Sequence, residues 1–153
     1  MTDRSATHAT FVLERTYAHP PGRVFAAWTP QAKFRWMGCH DGAEFAGDFR
    51  IGGKEHYRGG PPGGPVYLNR TTYRDIVQDR RIVYAYEMYC DADRLSVSVV
   101  TVDFEPAGAG TRLVFTEQGV FLDGRDTPAQ REEGSRPLLD KLQAELDRQS
   151  ATV

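Results

Sequence analysis

Residues 127–150, TPAQREEGSRPLLDKLQAELDRQS, carry the one long helical pattern in a chain that otherwise reads mainly as strands. Consecutive strands with one wet and one dry face need a cover, and this segment is long enough to supply it. Thr127 can N-cap the helix with Pro128 at its first position, where a missing N–H costs nothing. Asp126, Glu132 and Glu133 suit the positive end of the helix dipole. Leu138, Leu139, Leu142 and Leu146 form an apolar stripe at helical spacing, each contributing roughly 1.5–3 kcal/mol when buried. Gly134 and Ser135 continue that stripe upstream with almost no side-chain volume. Arg136, Asp140, Gln143, Asp147 and Arg148 make the polar face. Pro137 opposes the pattern: it removes the bond to the Glu133 carbonyl, at about 3 kcal/mol in a helix interior. A kink there is expected, or a short helix to Arg136 followed by a longer one.

The preceding chain alternates. Residues 9–18 read as a half-buried strand, with Phe11 and Leu13 opposite Thr10 and Glu14. His19-Pro20-Pro21-Gly22 stops it. Two short helices follow, from Pro21 to Trp28 and from Gln31 to Trp36, the second expected to bury Phe34 and Met37. They form a bracket that bridges the sheet. Further strands are predicted over 41–49, 54–58, 66–77, 82–89, 95–105 and 112–119, with Phe121–Asp126 as a loop into the final helix. The glycine- and proline-rich run 59–64 is a mobile hairpin loop. Consecutive strands joined by turns make an antiparallel meander. The fold class is therefore α+β: a curved, antiparallel, seven-stranded sheet closed over a C-terminal helix. One domain over 8–149 is expected, with flexible termini at 1–7 and 150–153.

A chain of 153 residues is long enough for a real core. A net charge of −2 offers no electrostatic footprint for nucleic acid or an anionic membrane. No apolar run approaches the ~20 residues that span a bilayer. The start, MTDRSATHAT, lacks an apolar leader core. Cys39 and Cys90 do not suggest a disulfide scaffold. A cytoplasmic protein fits these features.

In order and spacing, Pro21–Pro30 (PGRVFAAWTP), Asp48–Gly53 (DFRIGG), Tyr73–Tyr86 (YRDIVQDRRIVYAY) and Arg131–Leu146 (REEGSRPLLDKLQAEL) are specific together. Over about Phe11 to Leu146 the chain resembles the homologues of the activator of the heat-shock-protein-90 ATPase. That family lies within the START-like, helix-grip superfamily, which includes the birch pollen allergen and polyketide cyclases. The resemblance implies the helix-grip fold and carries no shared catalytic mechanism. The chain departs from the family at Arg35-Trp36-Met37-Gly38, where paired tryptophans are usual. It departs again at Ser135, where an aromatic is usual, and at Pro137.

A sheet closed by one helix often leaves a cavity, the usual site for a small molecule. Its expected lining is Phe25, Trp36, Tyr57, Tyr84, Tyr86, Met88, Val102, Phe104, Phe115, Glu117, Ser135, Leu138 and Leu142; the same residues could equally be packed core. Glu117 continues the inward series Leu113, Phe115. Glu55 shares the face of Tyr57, which the resemblance places inward. A carboxyl in an apolar cavity has its charged form disfavoured and its pKa raised, so either could act as general acid or base or hold a cationic ligand. The alternative is that both lie at strand ends, solvated or paired with Lys54, Arg58 or Arg112. Tyr67, Asn69 and Arg70 form another possible polar edge. Cys39-His40-Asp41 has the residue types of a thiol catalytic set, but sequential residues do not readily converge as nucleophile, base and orienter. His8, His19, His40 and His56 show no metal-ligand spacing with the cysteines. No metal or cofactor is expected, and catalytic residues are not identified beyond Glu117 and Glu55 as candidates.

Three functions follow. The first is binding of an apolar small molecule. The second, implied by the resemblance, is a chaperone-activating, stress-response role with a protein partner; exposed meander edges also suit a homodimer. The third is an enzyme of the cyclase, dehydratase or hydrolase kind with a pocket carboxylate. No nucleic-acid or membrane partner is expected.

Overall fold

The computed structural model describes residues 4–37 and 42–151. The element order is β1 (Ala6–Tyr17), α1 (Pro21–Ala27), α2 (Pro30–Trp36), β2 (Glu44–Gly47), β3 (Lys54–Gly59), β4 (Tyr67–Val77), β5 (Arg81–Cys90), β6 (Asp93–Ala107), β7 (Gly110–Leu122) and α3 (Pro128–Ala151). All seven strands lie in one antiparallel sheet ordered β1-β7-β6-β5-β4-β3-β2. The six strands from β2 to β7 are the expected meander, and β1 adds to its far edge along β7. The chain must then cross from one edge to the other before β2, and α1 and α2 make that crossing.

The long helix is continuous through Pro137, against the expected division into two helices at Arg136. Both Pro137 and Glu133 are exposed, so water can satisfy the carbonyl that Pro137 leaves unpaired. The start is a reciprocal capping box: Gln130 N donates to Thr127 Oγ1 and Thr127 N donates to Gln130 Oε1, both at 3.1 Å. Leu139, Leu142 and Leu146 are buried in the core, and Leu138 packs at its margin. Tyr17 ties β1 to this helix, its hydroxyl donating to Leu139 O at 2.9 Å.

Other expectations change in detail. β1 begins at Ala6, so Ala6 and Thr7 of the expected flexible terminus pair with Leu122 and Phe121. β2 is short, because the chain turns through Asp48–Gly53, where Asp48 N donates to Lys54 O and Gly52 has φ +83°. Phe121 belongs to β7 and is buried rather than looped, held by continued pairing with β1. In α2 the buried face is Pro30, Ala32, Lys33 and Trp36, while Phe34 is 41% exposed. The sequence puts Phe34 inside on apolarity; the structure turns Lys33 inward instead, because buried partners await it. Cys39, His40 and Asp41 lie outside the described residues.

Candidate functional site

Strand alternation and pairing assemble the site floor from three successive inward rungs. The first is Tyr57, Asn69, Met88, Ser96 and Phe121; the second is Glu55, Thr71, Tyr86, Ser98 and Gly119; the third is Tyr73, Tyr84, Val100, Glu117 and Phe11. Between β5 and β6 the register shifts, with Met88 opposite Ser96 but Tyr89 opposite Arg94. Leu95 is the extra residue of this bulge, which is why Leu95 and Ser96 are both buried although adjacent. The first three turns of α3 form the roof. Between them lies a cavity of about 620 Å³. The small residues anticipated on α3 border it: Ser135 is buried, and a Cβ added at Gly134 would meet no neighbouring atom within 4 Å. At the other side, a Cβ at Gly47 would lie 2.7 Å from the Pro30 side chain, so glycine there lets α2 close onto β2.

Two buried ionic centres stand on the cavity walls. In the first, Arg131 of α3 donates to Tyr86 Oη (2.6 Å), Ser96 Oγ (2.8 Å), Asp126 Oδ2 (2.7 Å) and Glu117 Oε2 (3.3 Å). Glu117 Oε2 also accepts from Tyr86 Oη at 2.7 Å and Ser98 Oγ at 2.8 Å. The guanidinium lies over the rings of Phe121 and Tyr86. Burial works against its charge, but Tyr86, Glu117 and Asp126 outweigh that and hold Arg131 above the ordinary arginine value. Gly119 makes room for this centre, since a Cβ there would fall 2.6 Å from Ser98 Oγ.

In the second centre, Lys33 Nζ lies 2.8 Å from Glu55 Oε1 and 2.9 Å from Oε2, and donates to Tyr73 Oη at 3.0 Å. Tyr73 Oη in turn donates to Glu55 Oε1 at 2.5 Å. Burial lowers the Lys33 pKa, and Glu55 opposes the shift. Tyr84 stands between the centres. Burial first, then the nearby Tyr86, Glu117 and Glu55, push its hydroxyl far above the usual phenol range.

Of the residues expected to line a cavity, Tyr57, Tyr84, Tyr86, Met88, Phe115, Glu117, Ser135 and Leu138 border this one, as do Glu55, Tyr67 and Asn69. Phe25, Trp36, Val102, Phe104 and Leu142 do not; they are packed core. The inward face is right for them, but they lie where α1 and the later turns of α3 fill the space. Phe25 meets Phe104 edge-on at 5.4 Å, and Trp36 donates its indole N–H to Ala27 O. Arg70 alternates outward, its guanidinium over the Tyr89 ring. The carboxylates are neither isolated nor at solvated ends: the partner of Glu55 is Lys33, and that of Glu117 is Arg131. Arg112 instead bridges Glu14 and Glu105. Sequence reasoning missed Lys33, Trp28, Arg131 and Asp126. For Arg131 a signal existed, since it stands four residues before Ser135 on the leucine stripe.

Among the described residues no group of three His, Cys, Asp or Glu could hold a metal ion, and no helix is long and apolar enough to cross a membrane. The family model described as "Activator of Hsp90 ATPase homolog 1-like protein" matches residues 18–147. A solved structure of an uncharacterised protein from Rhizobium leguminosarum is 44% identical, with a TM-score of 0.90 over 96% of this chain and 99% of that one. One from Rhizobium loti is 47% identical, with a TM-score of 0.88 over 92% and 99%. A Chromobacterium violaceum protein at 24% identity and TM-score 0.75, covering 90% and 96%, shares the fold. None of the curated proteins matches the chain.

Proposed function

The chain belongs to the Activator of Hsp90 ATPase homolog 1-like family, and from that premise and the cavity geometry we propose that the protein binds a largely apolar small molecule between the sheet and α3. The observation that carries the proposal is the cavity itself. Its volume of about 620 Å³ lies within the ~300–1,000 Å³ of small-molecule sites. Its walls alternate aromatic faces with a few fixed polar groups, the composition that both holds and orients such ligands. In this reading the protein works in the cytoplasm and needs no cofactor. A lipophilic fluorescent probe tests it against Ser135→Phe, which puts an aromatic ring into the space under α3. The probe should bind the wild-type protein and lose at least tenfold in affinity on the variant. A wild-type protein that binds no probe, and carries nothing in native mass spectrometry, refutes the proposal.

The family description supports a second reading, a chaperone-activating partner role. An unchanged chaperone ATPase rate in the presence of this protein counts against it. If the cavity also catalyses, Glu117 is a better proton-transfer group than Glu55, whose two oxygens are both engaged by Lys33. Unchanged turnover in Glu117→Gln would remove that assignment.

A further inference from the structure

We infer that the cavity selects an uncharged, largely apolar molecule carrying a hydroxyl or N–H donor, and that Glu117 Oε1 accepts this donor. The inference rests on the ligand-binding reading above and adds to it the polarity of the ligand.

Charge comes first. The charged side chains on the cavity walls are Lys33, Arg125, Arg131, Glu55, Glu117 and Asp126. Lys33 is paired with Glu55, Arg131 with Glu117 and Asp126, and Arg125 with Asp93. The Arg125–Asp93 pair is exposed to solvent. To reach either buried cation, a ligand anion would have to draw Arg131 or Lys33 away from a carboxylate, leaving that carboxylate buried and alone. A ligand cation could reach the open Glu117 Oε1 only beside the Arg131 guanidinium, which stands 3.3 Å from Oε2 of the same carboxylate, and like-charge repulsion opposes it there. Removing one partner of a buried pair is strongly unfavourable, so the charge-balanced walls favour a neutral ligand.

Hydrogen-bond capacity comes second. The hydrogen bonds to Glu117 from Tyr86, Ser98 and Arg131 all end on Oε2. Oε1 accepts none among the described residues, and Glu117, only 1% exposed, borders the cavity. Oε1 is open to the cavity, so it is an acceptor whose partner must come from the contents of the cavity. A hydrogen bond from a ligand donor to a charged oxygen is among the stronger kind. The Tyr84 hydroxyl, on the same rung as Glu117, also has no hydrogen-bond partner among the described residues and can engage a second polar group on the ligand. The indole Nε1 of Trp28 and Oδ1 of Asn69 are buried without partners on the same walls. Those two atoms are sealed from the open space, so the groups a ligand can reach are Glu117 Oε1 and the Tyr84 hydroxyl. Around them the faces of Tyr84, Tyr86 and Phe115 suit a flat apolar body.

A matched series on the wild-type protein decides the matter by calorimetry: 2-methylnaphthalene, 2-naphthol, 2-methoxynaphthalene, 2-naphthoate and 2-naphthylmethylammonium. The naphthol should bind at least about tenfold tighter than its methyl ether and than either charged analogue. In Glu117→Gln, whose amide can turn an N–H outward, the preference of naphthol over ether should fall to within about threefold. Equal binding of naphthol and ether means that Oε1 holds only water, and overturns the inference while leaving the apolar cavity reading intact. A charged analogue binding as tightly as the naphthol overturns it as well. If no member of the series binds, both the inference and the reading beneath it fail. The wild-type comparison decides the question even if the variant does not fold.

Discussion

Replacing Lys33 by methionine removes one half of an ion pair almost sealed from water, with Lys33 3% and Glu55 9% exposed. Opposite charges 2.8 Å apart attract by about 6 kcal/mol at an effective dielectric of about 20. Taking each ion out of water costs several kcal/mol, so the intact pair is close to neutral for stability. Breaking it is another matter. Lys33→Met leaves Glu55 buried with only the Tyr73 hydroxyl as donor, and the expected loss is about 3–5 kcal/mol. That is a large share of the ~5–15 kcal/mol that holds a domain together. The double variant Lys33→Met/Glu55→Met removes both charges and should return to within about 1 kcal/mol of the wild-type protein. Urea unfolding followed by circular dichroism measures all of these, with unchanged m-values marking a pure stability effect. A Lys33→Met loss below about 1 kcal/mol, or a double variant whose loss equals the sum of the singles, refutes the account of a coupled buried pair.

Burial holds the hydroxyls of Tyr17, Tyr73, Tyr84 and Tyr86 above their ordinary value of 10.0. Their contribution to stability is complete below pH 10 and is lost as the pH rises beyond it, by about 1.4 kcal/mol per pH unit for each group. Lys33, lowered by burial, acts oppositely: the unfolded chain holds the extra proton up to about 10.5, so stability rises with pH in that window. The tyrosines outnumber it, and a urea midpoint that stays flat or climbs above pH 10 would contradict this balance. Gly119→Ala should push Ser98 Oγ off Glu117 and cost about 1–2 kcal/mol after the gain in strand propensity; a thermal melt reads it, and a stabilised variant counts against the crowding. Thr127→Ala removes one arm of the capping box and should cost about 0.5–2 kcal/mol, seen as earlier amide exchange in the first turn of α3.

The sequence made the architecture legible where periodicity is strong. The leucine stripe of α3 and the alternation of β5 and β7 identify inward faces without further help, and Glu117 falls inward because it continues Leu113 and Phe115. What a single face cannot tell is what fills the space above it. Tyr84 borders a cavity and Phe104 is packed solid, although both point the same way, because only Phe104 lies under α1. The buried cations were hidden for a related reason. Lys33 and Arg131 are charged residues on otherwise apolar helix faces, and their burial depends on acceptors delivered by β3, β7 and the chain before α3. No local pattern encodes those distant partners. Pro137 misled in the other direction: a cost of about 3 kcal/mol does not end a helix whose following turns bury Leu139, Leu142 and Leu146 in the core.

The pairing of β1 with β7 sets the order in which the molecule can be made. β1 leaves the ribosome before the rest of the sheet, yet among the described residues its sheet neighbour, β7, begins at Gly110, and α3, which carries the carbonyl that holds Tyr17, comes later still. Such distant pairings close slowly, because chain entropy is lost before contacts compensate for it. Until then Phe11, Leu13 and the Trp28–Trp36 pair, packed edge-on at 5.6 Å where α1 meets α2, have no complete core to enter. Exposed apolar strands of this kind are prone to aggregation during synthesis. Deleting the last turns of α3 should therefore harm yield from the cell far more than the few leucine contacts it removes would suggest.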